Sequence, residues 1–259
     1  MNAPVALAFD SVGDGPPLLI LHGLFGWSRN WQSVARALSD RYRVLALDAR
    51  NHGRSPHTAA MDYRLMAADV AALIDRLALG PVTLLGHSMG GKTAMTLALL
   101  EPARVTRLVV VDIAPIATPD VHTSIIEAMQ ALPLAEVKRR QQAEEALIEA
   151  VPDRDVRLFL LQNFLPGADH GAWRFNLEGL RTAMPALIDA LPVPTAARYE
   201  GPVHVIRGAR SDRVTAATLA AMRPAFPYLC LHTVANGGHW PHAEAPAEFM
   251  LALEDALAV

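Results

Sequence analysis

Cysteine is almost missing. Cys230 is the only one in 259 residues, so no intramolecular disulfide can form and a reducing cytoplasm is the expected setting. Long apolar runs are missing as well. Hydrophobic residues make up 52% of the chain, yet Gly, Pro or charge breaks every apolar stretch well short of the ~20 residues a membrane span needs. Met1-Asn2-Ala3-Pro4 has no basic segment leading into an apolar one, so no secretion signal is expected. Positive charge is not in excess: the net charge is −3 with no basic tract of note, which argues against a nucleic-acid partner. Neither an internal repeat nor a low-complexity segment is found.

What is there suits one large domain with a substantial core. The chain is organised around Val82-Thr83-Leu84-Leu85-Gly86-His87-Ser88-Met89-Gly90-Gly91. A short apolar run ends in Gly-x-Ser-x-Gly, and Lys92–Leu100 suits a helix. The spacing predicts a strand, a sharp turn and a helix, with Ser88 at the apex in a strained backbone conformation. Gly86 and Gly90 leave room around it. The helix that starts behind it turns free N–H groups toward the same point. That is a nucleophile elbow, the mark of an α/β-hydrolase.

Strand patterns at Val5–Val12, Leu18–Leu21, Tyr42–Asp48, Val82–Gly86 and Val105–Ile113 alternate with helix patterns at Ser28–Ser39, Tyr63–Leu79 and Lys92–Leu100. Ser28 is expected to cap the first helix. The second should turn Leu65, Ala68, Val70, Leu73, Ile74 and Leu77 inward and stop at Gly80-Pro81. Leu18–Leu21 and Leu108–Val111 are continuous apolar runs, as expected of strands covered on both faces. The alternation predicts a mostly parallel sheet flanked by helices. It stops between residues 115 and 200, where only helical patterns occur: Val121–Leu132, Leu134–Val151, Asp153–Leu165 and Trp173–Leu191. That stretch is too long for a plain loop and is expected to be a helical cap inserted into a core made of residues 1–114 and 201–259. A strand from Val203, a helix at Ala216–Phe226, a strand at Tyr228–Val234 and a helix at Pro246–Ala258 complete the sheet.

Every candidate for chemistry falls at the carboxyl end of a strand, where open α/β sheets bind ligands. Ser88 needs a base to take its proton. His239 follows Gly237-Gly238 after the last strand, where this fold keeps its base. His242 is read as structural, and a zinc pair with His239 lacks any acidic or thiol ligand beside it, so no metal and no cofactor is expected. Two carboxylates compete to orient His239. Asp112 ends the strand after the elbow unit. Asp212 follows the strand after the cap, one residue later than the usual spacing, which falls on Ser211. For the oxyanion, the Met89 amide and the Leu24 amide in His22-Gly23-Leu24-Phe25-Gly26 are expected donors, with Phe25 the alternative to Leu24. His22 and His87 are read as structural. Asp48, Arg50, Asn51 and His52 form a polar loop read as bracing.

The strings His22-Gly23-Leu24-Phe25-Gly26, Arg50-Asn51-His52-Gly53, Gly86-His87-Ser88-Met89-Gly90-Gly91-Lys92 and Gly238-His239-Trp240-Pro241-His242, with Val111-Asp112-Ile113-Ala114-Pro115 and Trp173-Arg174-Phe175-Asn176, run through nearly the whole chain. They resemble the YbfF-type esterases, small α/β-hydrolases close to a mitochondrial abhydrolase with the same RNHG and GHSMGGK strings. The resemblance implies short-chain esters and acyl thioesters as substrates and puts the acid on Asp112. This chain departs from the family in the later loop, which in the family reads Gly-Asn-Ser-Pro-Tyr-Val or similar and here holds Asp212.

Phe25, Trp173 and Trp240 are candidate substrate contacts. Ile116, Ile125, Met129, Phe159, Phe164 and Leu177 of the cap are candidate pocket lining, though apolar spacing does not separate lining from core. Lys138-Arg139-Arg140 is read as a solvated face rather than a seat for an anionic coenzyme A tail. The expected activity is serine ester hydrolysis. A carbon–carbon bond hydrolase shares the same triad, and a silent ligand receptor shares the scaffold. Dehalogenases and epoxide hydrolases need an aspartate where Ser88 stands.

Overall fold

The computed structural model describes residues 3–134, 136–137, 139–166 and 172–258. Seven strands form the main sheet: β1 (Phe9–Val12), β2 (Pro17–Leu21), β3 (Arg43–Leu47), β4 (Val82–His87), β5 (Val105–Val111), β8 (Val203–Gly208) and β9 (Leu229–Val234). Their order is β1-β3-β2-β4-β5-β8-β9. β1 runs antiparallel to β3, and every other pairing is parallel.

The apolar runs explain why the sheet is covered on both faces. In β2, Leu19 and Leu21 enter one hydrophobic core while Leu18 and Ile20 enter the other. β5 does the same, with Leu108 and Val110 on one side and Val109 and Val111 on the other. Each such side chain contributes about 1.5–3 kcal/mol by leaving water. Helices α2 (Tyr63–Arg76) and α3 (Met89–Leu100) cover the first face; α1 (Gln32–Leu38) and α8 (Pro246–Leu257) cover the second. A Cβ on Gly90 would lie 2.2 Å from the Leu21 carbonyl oxygen, so only glycine lets α3 pack this closely on β2.

Some expected boundaries differ. Ser28 lies in a 3-10 turn (Ser28–Trp31) and caps nothing; its hydroxyl donates to Asp10. α2 turns inward Met66, Ala67 and Asp69 where Leu65 and Ala68 were expected, and both of those stay half-buried. The chain leaves α2 through Ala78, whose φ of 49° makes the left-handed turn before Gly80 is reached.

Between β5 and β8 lie α4 (Thr123–Gln130), α5 (Arg140–Ala146), α6 (Arg154–Leu161) and α7 (Leu177–Ile188). The long helix expected over 134–151 is only α5, and Lys138 of the basic trio lies outside the described residues. A short antiparallel pair, β6 (Phe164–Leu165) with β7 (Ala172–Trp173), stands where helix ends were expected. Among the described residues no helix is long and apolar enough to cross a membrane.

Candidate active site

Strand order creates the site. The chain passes from β3 on one side of β2 to β4 on the other, so β2 and β4 open a crevice at their carboxyl ends. Leu21 pairs with Gly86 there, which sets the loop after β2 against the turn after β4. A Cβ on Gly23 would come within 2.7 Å of His87 Nδ1 and 3.3 Å of Ser88 Cβ.

Ser88 has φ 50° and ψ −117°, a strained conformation that lifts its hydroxyl off the sheet. His239 Nε2 lies 3.2 Å from Ser88 Oγ, and His239 Nδ1 lies 2.8 Å from Asp112 Oδ2. Asp112 is 0% exposed and also sits at positive φ, 50°. Its Oδ2 accepts from Ser211 Oγ at 2.5 Å and its Oδ1 from the Gly208 N–H at 3.2 Å. Asp212 points away: its side chain is 96% exposed and touches Arg213 at 3.7 Å. With Asp112 accepting at Nδ1, the His239 proton rests there and Nε2 is left to accept from Ser88.

Two buried histidines shape the loop after β2. The Ala49 N–H donates to His22 Nε2 at 3.0 Å, so His22 Nδ1 carries the proton and donates to the Gly23 carbonyl at 2.7 Å. The Phe25 N–H donates to His52 Nε2 at 3.3 Å, and His52 Nδ1 donates to the Arg50 carbonyl at 3.0 Å. The Phe25 amide is therefore occupied. The Leu24 amide has no partner among the described residues. Met89 opens α3, and its N–H has no acceptor within the helix.

The polar loop braces this frame. Arg50 makes a bidentate pair with Asp69, 2.6 Å at Nε and at Nη2, both side chains buried. Asp48 accepts from the Ser28 N–H and from the Arg54 N–H and Nε. Asn51 accepts from Thr58 and Asn176, tying the 115–200 segment to the core. Asn163 does the same by donating to the Phe25 carbonyl at 2.8 Å. Asp69, Asn163 and Ser211 were not singled out by sequence. For Ser211 there was one signal: it occupies the usual place of the acid.

A pocket of about 520 Å³ opens over Ser88 and His239. Phe25, Val121, Ile125, Phe159, Leu160 and Trp240 form its apolar wall, with Arg210, Asp212 and Arg213 on the polar side. Trp173 is not part of it: its ring stacks on Phe175 at 5.4 Å and leans on Phe164 at 5.2 Å. Met129 and Phe164 are fully buried core, and Ile116 is an exposed surface residue.

Burial keeps His22, His52, His87 and His242 neutral. It lowers His52 and His242 to about 3, His22 below its ordinary value and His87 well below it. His87 donates from Nε2 to the His239 carbonyl at 2.8 Å, and His242 stacks on Trp31 at 4.1 Å. In the unfolded chain these rings take protons near pH 6.5; in the folded chain they refuse them. Stability is thus complete above pH ~6.5 and falls as pH drops toward 3, by up to about 1.4 kcal/mol per pH unit for each ring. Urea unfolding of the wild type and His242→Phe at pH 7, 6 and 5 should give a shallower pH slope for the variant. Parallel slopes would show that His242 does not contribute.

A family model described as alpha/beta hydrolase fold matches residues 16–148. The sn-1-specific diacylglycerol lipase ABHD11 of Mus musculus is 39% identical over 266 residues, covering 98% of this chain and 86% of the relative. Esterase YbfF of Escherichia coli is 33% identical over 241 residues, covering 92% and 91%. A solved structure titled marine microorganism esterase superposes with a TM-score of 0.93 at 34% identity, over 98% of this chain and all of that one.

Proposed function

The chain belongs to the α/β-hydrolase fold family and is an enzyme of the esterase type, and from that premise we propose that it hydrolyses carboxylic esters through Ser88, His239 and Asp112 by way of an acyl-enzyme. The observation that carries this reading is the unbroken run of contacts from Asp112 Oδ2 through the His239 ring to Ser88 Oγ.

In this reading Ser88 Oγ attacks the acyl carbon as its proton passes to His239 Nε2. The developing oxyanion is held by the Leu24 and Met89 amides, worth roughly 3–4 kcal/mol each in such sites. The Asp112 carboxylate stabilises the imidazolium. His239 then gives its proton to the departing alcohol, and a water deprotonated by Nε2 releases the acid. An acyl thioester fits the same sequence, with a thiol leaving. Residues 115–200 act as a cap; besides Asn163 and Asn176, the Lys92 ammonium pins it by donating to the Asp189 carbonyl. The lone thiol, exposed Cys230, suits a reducing cytoplasm.

A fluorophosphonate probe should add one adduct per chain on the peptide holding Ser88, with loss of ester turnover in step with labelling. An active protein labelled elsewhere, or an unlabelled one that still turns over esters, would overturn the assignment.

A further inference from the structure

One cation in the site has no partner equal to it. Arg213 lines both the main pocket and a recess of about 40 Å³ that also touches Leu24, Ser88, Met89 and His239. Its guanidinium makes no hydrogen bond among the described residues, and its one ion pair there is the 3.7 Å contact with Asp212, whose carboxylate stands in solvent. A pair that long and that wet stabilises little. The other charges nearby are already engaged. Asp112 is taken up by His239, Ser211 and Gly208. Lys92 donates to the Asp189 carbonyl and feels the Asp189 carboxylate.

A second polar residue, His122, lines the same recess. His122 Nδ1 is buried with no hydrogen-bond partner. Burial first and the charge of Arg213 second lower His122 to about 4, which places that ring within the field of the guanidinium. A neutral imidazole with its proton on Nδ1 offers one N–H, and the guanidinium offers a planar fork matched to a carboxylate. A recess this small takes a carboxylate with a methylene or two and no long chain.

We propose that Arg213, with His122 beside it, binds a carboxylate carried by the substrate a few bonds from the scissile ester, so that the enzyme selects half-esters of short dicarboxylic acids over neutral esters of equal size. The proposal rests on the reading that Ser88 cleaves esters and adds the class of ester.

The test compares kcat/KM for monoethyl succinate and ethyl butanoate, followed by proton release, in the wild type, Arg213→Gln and Arg213→Lys, with thermal unfolding as a check on folding. The ratio of the anionic to the neutral ester should fall roughly 10- to 100-fold in Arg213→Gln, mainly through KM, and partly recover in Arg213→Lys. Added salt should lower the ratio in the wild type and leave it flat in Arg213→Gln. An equal ratio in the wild type and Arg213→Gln, with ethyl butanoate still hydrolysed, overturns the proposal alone. A wild type that hydrolyses neither ester overturns the esterase reading and this proposal with it.

Discussion

Ser88→Ala should lower kcat/KM for 4-nitrophenyl acetate by roughly five orders of magnitude, close to 7 kcal/mol of transition-state stabilisation. The size of the loss follows from the lack of a substitute among the described residues. Ser211 Oγ is committed to Asp112, Thr93 Oγ1 donates to the Met89 carbonyl, and Cys230 is exposed on the edge strand β9. What survives is the oxyanion site and substrate positioning, which leave a residual rate above that of water. Ser88→Gly sharpens the test. It removes the same oxygen but relieves a non-glycine residue held at φ 50°, so it should be as inactive and about 1 kcal/mol more stable. Activity within tenfold of wild type in either variant would remove Ser88 from the chemistry.

The sheet was readable because its signals are local. Four apolar residues in a row, Leu18–Leu21, meet two cores at once, and no alternating strand would read that way. The elbow was readable in part for the same reason, since a Cβ on Gly86 would meet the Gly90 carbonyl four residues on, whereas the neighbour that excludes one on Gly90 is the Leu21 carbonyl of another strand. The inserted segment was less so. A helical pattern over 134–151 shrank to seven residues in α5, and Phe164 and Trp173, spaced like helix-face residues, pair across a two-stranded sheet.

In the site, the residue types and their order along the chain were visible, but contacts were not. Arg50 finds Asp69 nineteen positions away, and Ser211 finds Asp112 ninety-nine positions away. The helix pattern did not single out Asp69 and gave no hint that a guanidinium meets it there. The same limit left two carboxylates open as the acid: a one-residue offset separates Ser211 from Asp212, and that offset sends one side chain to Asp112 and the other to water.

That offset carries the second large prediction. Asp112→Asn should cost about 10³- to 10⁴-fold in kcat/KM on 4-nitrophenyl acetate, and Asp212→Asn no more than about threefold. Asp112 accepts from three donors: His239 Nδ1, Ser211 Oγ and the Gly208 N–H. An ionised carboxylate suits that set, because it has only acceptor sites. An asparagine must aim its amide N–H₂ at one of them. Facing Gly208, the amide leaves that buried backbone N–H unpaired. Facing His239, it forces the ring to carry its proton on Nε2, where it can no longer take one from Ser88. Either outcome also removes the negative charge that steadies the imidazolium. Asp212, 96% exposed, has none of these roles toward a neutral ester. A larger loss from Asp212→Asn than from Asp112→Asn would move the acid to the later loop and would require that loop to swing inward during turnover.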